Sequence, residues 1–299
     1  MPREKDFGPG ELGPPWTVLK MLRWTSNFFE ERDVTETPRL DADLLLSHVL
    51  DVDRMDLYLK TDEEVPEAAR DRFRAMVKRR AGGEPVAYLV GHREFWETDL
   101  KCDRRALVPR PDTEVLVETV VDTLEADGDH RLADIGTGTG AIALALADEF
   151  PNATIAATEI SSDALELAAE NIEAHSASWR VTLLEGDLLD ALPDDWGLLD
   201  AVVSNPPYVK EDDPDVQQAV LDHEPAQSLL AGPDGLDVIR RLIPQAYEAL
   251  RGGGWLFFEF GYTQAESVYT LLDEEGFEAI EIHQDYSDRD RVASARKPQ

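Results

Sequence analysis

The sequence predicts an α/β protein with a doubly wound parallel sheet, preceded by a helical domain and a β-hairpin. Over the last two thirds of the chain, short apolar runs alternate with longer segments of helical periodicity. A glycine-rich turn, Gly136 to Gly140, joins the first apolar run of that region to a helix. Parallel strands connected by helices form sheets of this type, and such sheets bind ligands at the carboxyl edge.

The first 84 residues predict a helical domain. From Trp16 to about Arg80 the apolar residues recur at steps of three and four, and Pro38 and Pro66 stand where helices would begin. The run Arg70 to Arg80 is the one basic stretch of this segment. It has two interpretations: contact with an acidic partner surface, or a solvated helix face.

Residues 85–110 predict a β-hairpin linker. Apolar and polar residues are mixed between Val86 and Pro109, around a polar turn at Glu97 to Asp99. Phe95 and Trp96 can belong to the hairpin core or can form a lid over a site.

The exit of the hairpin predicts the start of a helix. Pro109 and Pro111 stiffen the chain, and Asp112 or Thr113 can cap a helix that begins near Glu114.

Residues 111–299 predict the α/β domain. The expected strands are Leu132 to Ile135, Thr154 to Thr158, Val181 to Leu184, Ala201 to Val203 and Trp255 to Phe260. The expected helices are Ala141 to Glu149, Asp163 to Ala174, Leu236 to Leu250 and Gln264 to Glu275. Two late runs, Glu278 to His283 and Arg291 to Arg296, are expected to pair antiparallel at the sheet edge because only a short polar link separates them.

The composition is strongly acidic. The chain has 62 acidic and 29 basic residues, a net charge of −33, and only seven of the basic residues are lysine. Such a charge repels nucleic acid phosphates and anionic lipids, which disfavours a nucleic acid binder and a membrane-surface protein. One hypothesis is a salt-adapted protein, because concentrated salt screens self-repulsion. An ordinary acidic enzyme is the alternative.

Several other classes are disfavoured by what the sequence contains. Cys102 is the single cysteine, and the six histidines form no pair at metal-ligand spacing, so we expect no disulfide within the chain and no metal site. Residues 1–16 lack the apolar segment of a signal peptide, and no apolar run approaches the roughly 20 residues of a membrane span. We therefore expect a cytoplasmic protein.

The glycine turn predicts a nucleoside-binding loop. Its order is Gly136, Thr137, Gly138, Thr139 and Gly140, a Gly-x-Gly-x-Gly spacing that differs from the fingerprint of dinucleotide binders. Glycines allow positive φ and let backbone N–H groups approach a ligand. A plain tight turn is the alternative.

Two carboxylates follow the next strands at the same expected edge. Glu159 ends the second strand, where it can accept both hydroxyls of a ribose. Asp187 follows the third strand and can accept from an adenine amino group. Either acid alone could be a solvated strand end, but together with the loop they favour S-adenosylmethionine, a nucleoside without a pyrophosphate.

The fourth strand runs directly into Ser204-Asn205-Pro206-Pro207-Tyr208. The two prolines restrict their own φ and the conformation of the preceding residues, so Asn205 and Pro206 are held extended. The side-chain oxygen of Asn205 and the backbone oxygen of Pro206 could then accept both hydrogens of one planar amino group. Tyr208 is expected to form a pocket wall that faces the sulfonium charge.

Such an arrangement suits methyl transfer to a conjugated nitrogen. The lone pair of an amide nitrogen is delocalised into its carbonyl, which makes the nitrogen a poor nucleophile. Two fixed acceptors can draw its hydrogens out of plane and direct electron density toward the methyl group. Glutamine amides, adenine and guanine all carry such nitrogens, so the motif alone does not choose between them.

A set of motifs distributed over nearly the whole chain resembles the PrmC/HemK family, the protein glutamine N5-methyltransferases of peptide chain release factors. The motifs are GHREFW at Gly91 to Trp96, PRPDTE at Pro109 to Glu114, DIGTGTGAIALALA at Asp134 to Ala147, SNPPY at Ser204 to Tyr208, HEP at His223 to Pro225 and GLD at Gly235 to Asp237. The resemblance implies a class I S-adenosylmethionine-dependent methyltransferase fold, which is Rossmann-like. It also implies methylation of the glutamine in the Gly-Gly-Gln loop of class 1 release factors.

The resemblance further implies which residues act. Gly136 to Gly140, Glu159, Asp187, Leu188 and Asn205 would contact S-adenosylmethionine; Asn205, Pro206, Pro207 and Tyr208 would hold the glutamine. The N-terminal helical domain would help to engage the release factor, and we expect a monomer. Leu188 and Glu159 depart from the pattern, because some members have tryptophan and many have aspartate at these positions.

Three other functions stay open at this point. A glutamine methyltransferase of a ribosomal protein shares the motif chemistry and differs in partner recognition. An amino methyltransferase of nucleic acid bases would require a basic groove, which the charge of −33 disfavours. A noncatalytic cofactor-binding module would not need the Asn-Pro-Pro-Tyr segment.

Overall fold

The computed structural model describes residues 14–211, 213 and 218–299. Residues 1–13 lie outside the described residues; they include the start of the predicted helical domain and most of residues 1–16, which lack the apolar segment of a signal peptide. The chain divides into two compact units, Met1–Gly91 with Gln218–His223, and His92–Gln217 with Glu224–Gln299. No helix of the described chain is long and apolar enough to cross a membrane.

The helices are α1 (Val18–Glu30), α2 (Pro38–Leu50), α3 (Arg54–Leu59), α4 (Glu67–Arg80), α5 (Val86–Val90), α6 (Glu114–Thr123), α7 (Ala141–Glu149), α8 (Ser162–Ala174), α9 (Gln218–His223), α10 (Asp237–Ala249) and α11 (Ala265–Glu275). The strands are β1 (His92–Phe95), β2 (Thr98–Lys101), β3 (Arg131–Ile135), β4 (Thr154–Glu159), β5 (Val181–Glu185), β6 (Leu199–Ser204), β7 (Leu250–Glu259), β8 (Glu278–Gln284) and β9 (Asp290–Arg296).

The first unit is helical, as the periodicity predicts. Pro38 is the first residue of α2 and Pro66 directly precedes α4, because the fixed φ of proline suits a helix start and its missing N–H is not needed there. Apolar side chains of α1 to α5 form one core, which includes the fully buried Phe29 and Phe73.

The basic run in α4 is used within this unit. Arg80 pairs with the buried Asp41 at 2.7 Å and Arg79 pairs with the buried Glu84 at 2.6 Å. Arg72 donates to the carbonyl of Val49. Phe73 and Val77 of this run are buried while most of its basic residues are exposed, which favours the interpretation of the run as a solvated helix face.

The hairpin is shorter than predicted. Strands β1 and β2 pair antiparallel, and their last pair joins Phe95 to Thr98 across a two-residue turn. The start of the predicted range is wrong, because Val86–Val90 forms helix α5, which ends at Gly91 in the left-handed region. Periodicity cannot separate a strand from one helical turn in so short an apolar run.

The second unit contains the predicted doubly wound sheet. Its strand order is β5-β4-β3-β6-β7-β9-β8, parallel from β5 to β7. Strands β9 and β8 complete it antiparallel, and β8 is the edge strand, which confirms the expected pairing of the two late runs. All the strands and helices predicted after residue 111 are present, and most of their ends shift by one or two residues. The exception is β7, which begins at Leu250, five residues before the predicted Trp255.

Alternate residues of the central strands point to opposite faces, and both faces are buried. Ala133 and Ile135 of β3 join one apolar core with Ile239 and Leu242 of α10 and Leu272 of α11. On the other face, the neighbouring residues of the central strands are equally buried, namely Leu132, Val203 and Phe257. Burial on both faces explains why these strands are continuous apolar runs rather than alternating ones.

Candidate active site

The glycine turn after β3 borders a cavity of about 280 Å³. Gly136, Gly138 and Gly140 have φ values of 74°, 57° and 85°, a region that favours glycine. A Cβ added at Gly136 or Gly138 would meet no atom within 4 Å. The glycines are therefore required by the backbone conformation, and the open space beside the loop is available to a ligand.

Two carboxylates hold this turn in place. Asp134 is fully buried and accepts from the Thr137 hydroxyl at 2.6 Å and from the Ala143 N–H at 3.1 Å. Burial raises the pKa of Asp134 to about 7, although these two hydrogen bonds oppose the rise. Glu159 accepts from the N–H groups of Gly138 and Ser161, both at 3.0 Å. Glu159, the residue predicted to bind the ribose, thus lies against the loop and lines the cavity.

The end of β5 contributes the far side of the cavity. Gly186, Asp187 and Leu188 line it, together with Ile160, whose side chain is 61% exposed. The carboxylate of Asp187 forms an ion pair with Arg241 of α10, a partner that the sequence alone gave no signal for. Backbone N–H groups, carboxylates and apolar side chains in one cavity fit a nucleoside such as that of S-adenosylmethionine.

The Asn-Pro-Pro-Tyr segment starts where β6 ends, at the same sheet edge. Ser204 donates to the carbonyl of Ile135, the residue before the glycine turn, and this bond ties the two strand ends together at 2.7 Å. Asn205 and Pro207 line the cavity. Within the described residues, Pro206 and Tyr208 are not part of that lining.

Tyr208 has a different environment from the one predicted. Its hydroxyl donates to the buried carboxylate of Glu259 at 2.7 Å, and its ring packs against the core between the sheet and α10. Burial raises the pKa of the Tyr208 hydroxyl well above its usual value, so the group stays protonated and remains a donor. The prediction that Tyr208 forms a wall of the cavity is therefore corrected.

Thr113 also differs from its predicted role. Pro111–Thr113 form a single turn of 3₁₀ helix before α6, and neither Asp112 nor Thr113 caps α6 through its side chain. Instead the Thr113 hydroxyl donates to Glu259 at 2.6 Å and accepts from the side-chain amide of Asn205 at 3.0 Å. The threonine of the PRPDTE motif thus reaches the predicted catalytic asparagine.

The HEP motif supports the segment that leads to Thr113. Glu224 is almost fully buried, and its carboxylate accepts from the Val108 N–H at 3.1 Å and from the Arg110 guanidinium. A buried carboxylate that accepts from a backbone N–H and a guanidinium holds both groups in one geometry.

Three further residues of the site were missed by the sequence reasoning. Glu259 ends β7 at the same sheet edge. Its position at the end of a predicted strand is the only feature of the sequence that could have indicated a place in the site. Gln264 donates to the carbonyls of Tyr208 and Asp234 at 3.1 and 3.0 Å. Asn171 of α8 donates to the carbonyl of Thr139 at 2.8 Å.

The hairpin aromatics have separate roles. Phe95 is buried and lines the cavity, whereas the Trp96 ring nitrogen donates to Glu149 at 2.7 Å. Cys102 is buried too, and burial raises the pKa of its thiol to about 12, which favours the inert protonated form. In the described part of the chain, no cluster of His, Cys, Asp and Glu could hold a metal ion.

Two family models match this chain. Residues 20–91 match the family model of the PrmC N-terminal domain, and residues 111–233 match that of the methyltransferase small domain. A methyltransferase structure from Pyrococcus furiosus aligns with a TM-score of 0.51 at 18% identity, covering 69% of this chain and 91% of that chain, and supports the fold alone.

Two relatives cover almost the whole protein. The release factor glutamine methyltransferase of Rhodopirellula baltica is 40% identical over 289 residues, 95% of this chain and 97% of the relative. That of Xylella fastidiosa strain 9a5c is 44% identical over 260 residues, 87% of this chain and 94% of the relative. With identity at this level over both chains, the protein belongs to the release factor glutamine methyltransferase family.

Proposed function

We propose that this protein transfers a methyl group from S-adenosylmethionine to the side-chain amide nitrogen, N5, of a glutamine in the Gly-Gly-Gln motif of class 1 release factors. The observation that carries the proposal is the orientation of Asn205. Its side-chain NH₂ group is bound by Thr113 at 3.0 Å, which leaves its oxygen for a ligand in the cavity. Curated relatives named release factor glutamine methyltransferase support the choice of substrate.

The cofactor would occupy the cavity beside the glycine loop. Gly136, Thr137, Gly138, Thr139 and Gly140 would contact it through the backbone, with the ribose at Glu159 and the adenine near Asp187 and Leu188. When bound, S-adenosylmethionine supplies an electrophilic methyl group on a sulfonium centre. Asn205 lines the same cavity and would lie between cofactor and substrate.

Asn205 and Pro206 would perform the chemical work on the glutamine. The Asn205 Oδ1 and the Pro206 carbonyl oxygen would each accept one hydrogen of the glutamine amide. Two acceptors at fixed positions favour the pyramidal nitrogen of the transition state over the planar nitrogen of the ground state. Pro207 would line the approach of the glutamine, and Tyr208 would hold the segment through its bond to Glu259.

The proposal also assigns a role to each domain and a cellular setting to the enzyme. Residues 1–84 would engage the release factor, residues 85–110 would link the domains, and residues 111–299 would carry out the transfer. The enzyme would act as a monomer in the cytoplasm, without a metal ion and without direct nucleic acid contact. The excess of 62 acidic over 29 basic residues supports adaptation to a salt-rich cytoplasm.

One assay tests the substrate. The protein is incubated at high KCl with S-adenosylmethionine and a purified class 1 release factor, and the methyl group is mapped by mass spectrometry. We expect one methyl group on the Gly-Gly-Gln glutamine, and none on a release factor in which that glutamine is replaced by alanine. Methylation of a ribosomal protein or of RNA in parallel reactions, with none on the release factor, would refute the proposal.

A further inference from the structure

A chain of hydrogen bonds lies behind Asn205. The Asn205 Nδ2 is 3.0 Å from the Thr113 Oγ1, which is 2.6 Å from the Glu259 Oε2. The other carboxylate oxygen, Oε1, is 2.7 Å from the Tyr208 hydroxyl. Thr113 is 4% exposed and Glu259 is 1% exposed, so water does not replace these bonds. The chain connects the 3₁₀ turn before α6 with the segment after β6 and the end of β7.

The chemistry of the groups sets the direction of every bond. An ionised carboxylate only accepts, so both Thr113 and Tyr208 must donate to Glu259. The single hydrogen of the Thr113 hydroxyl is then used, and its oxygen can only accept from Asn205. Asn205 must therefore present its NH₂ group to Thr113. Among the described residues no group donates to the Asn205 Oδ1, and that oxygen is left for the cavity.

We propose that Thr113 and Glu259 are positioning residues that hold the Asn205 side chain with its oxygen toward the substrate nitrogen. The inference rests on the proposed function, because it assigns Asn205 the role of acceptor. An amide group is nearly symmetric in shape, so packing alone does not distinguish its oxygen from its nitrogen. A flipped Asn205 would turn two donors toward the two hydrogens of the glutamine amide and could not accept either of them.

The charges around Glu259 are compatible with its ionised form. Arg291 lies near Glu259 and Tyr208 and is itself paired with the buried Asp285 at 3.0 Å. The nearby carboxylate of Asp112 has the opposite effect to Arg291, because its negative charge raises the pKa of Glu259. The pKa of Glu259 is raised above its usual value, because burial outweighs the opposing effects of the bonds from Thr113 and Tyr208 and of the charge of Arg291. Turnover should decline as pH falls through this pKa, because a protonated Glu259 can donate to Thr113 and reverse the chain.

The first test replaces the Thr113 hydroxyl. Thr113→Val keeps the shape of the side chain but removes both hydrogen bonds, and we expect the kcat for release factor methylation to fall roughly 10- to 100-fold. Thr113 also lines the cavity, but its hydroxyl is bonded to Glu259 and Asn205, so the Kd for S-adenosylmethionine should stay within about threefold of wild type. Thr113→Ser restores the hydroxyl and should recover most of the lost turnover.

Thr119→Val is the matched control. Thr119 is a buried threonine of α6 whose hydroxyl donates to the carbonyl of Val115 at 2.8 Å, away from Asn205. Its variant loses a buried threonine hydroxyl in the helix that follows Thr113, and it should keep the wild-type kcat. Equal kcat values for Thr113→Val and Thr119→Val would overturn the inference.

A second measurement does not depend on activity. In protein labelled with ¹⁵N-asparagine, the side-chain NH₂ signal of Asn205 is assigned by its loss in Asn205→Ala. We expect slow solvent exchange of its hydrogens in wild type and in Thr113→Ser, and fast exchange in Thr113→Val. Unchanged exchange in Thr113→Val would reject the positioning role, whereas slow wild-type exchange without release factor methylation would reject only the proposed function.

Discussion

Residue 235 lies so close to the backbone of Tyr208 that only glycine fits there. A Cβ added at Gly235 would lie 2.2 Å from the Tyr208 carbonyl oxygen, and Gly235 has a φ of 75°. The same carbonyl accepts from Gln264 at 3.1 Å. The GLD motif and the Asn-Pro-Pro-Tyr segment, 27 residues apart from Tyr208 to Gly235, are therefore parts of one structure. The glycine lets two backbones meet, and Gln264 binds both of them.

Gly235→Ala should destabilise the fold and displace Tyr208. Left-handed backbone costs about 1 to 2 kcal/mol for alanine, and the contact with Tyr208 adds to this, so we expect a loss of more than about 2 kcal/mol in unfolding free energy. Urea denaturation measures the loss. Gly91→Ala is the control, because its φ of 87° is equally strained while its Cβ meets nothing within 4 Å. Equal losses in the two variants would contradict a steric role for Gly235.

Asn205→Ala should abolish most turnover while the cofactor still binds. Loss of one oriented polar group in an active site costs about 2 to 4 kcal/mol of barrier lowering, which corresponds to a decrease in kcat of roughly 30- to 10³-fold. Steady-state kinetics with the release factor measure kcat, and isothermal titration measures the binding of S-adenosylmethionine. Near-normal turnover would refute the role assigned to Asn205.

Asp134 should make folding stability depend on pH. Its pKa is about 7 in the fold against 3.8 for the free side chain, so the folded state binds the proton more tightly. The resulting stability is fully present below pH 3.8 and is lost as pH rises through about 7. Asp134→Asn cannot ionise and does not lose this stability. The difference in unfolding free energy between variant and wild type should therefore shift in favour of the variant as pH rises from about 4 to about 7. Urea denaturation without cofactor gives both curves, and parallel curves would contradict the prediction.

Salt should stabilise the protein if its acidity is an adaptation. The charge of −33 produces self-repulsion in dilute buffer. Since the Debye length shortens from about 10 Å at 0.1 M to about 3 Å at 1 M, most of the rise in Tm should occur below about 1 M KCl. Differential scanning calorimetry over a KCl series measures it. A Tm that is indifferent to KCl would favour an ordinary acidic enzyme.

Most of the fold follows from the sequence. The predicted helices and parallel strands of residues 114–275 follow from the length and periodicity of their apolar segments. The antiparallel pairing of the last two strands follows from their short link, and the structure confirms it. The predicted β-hairpin from Val86 to Pro109 is wrong at its start, where Val86–Val90 forms a helix. So short an apolar run suits either a strand or a helix, and only its packing in the helical unit decides between them.

The sequence by itself determined the sheet, the glycine turn and the edge at which Glu159, Asp187 and Asn205 gather, because each of these follows from local spacing along one strand and its exit. Only the tertiary structure decided the partners of those side chains. Thr113 meets Glu259 across 146 positions of the chain and Asn205 across 92. Local patterns carry no information on such pairs, since a hydrogen bond between distant segments depends on where the fold places both of its ends.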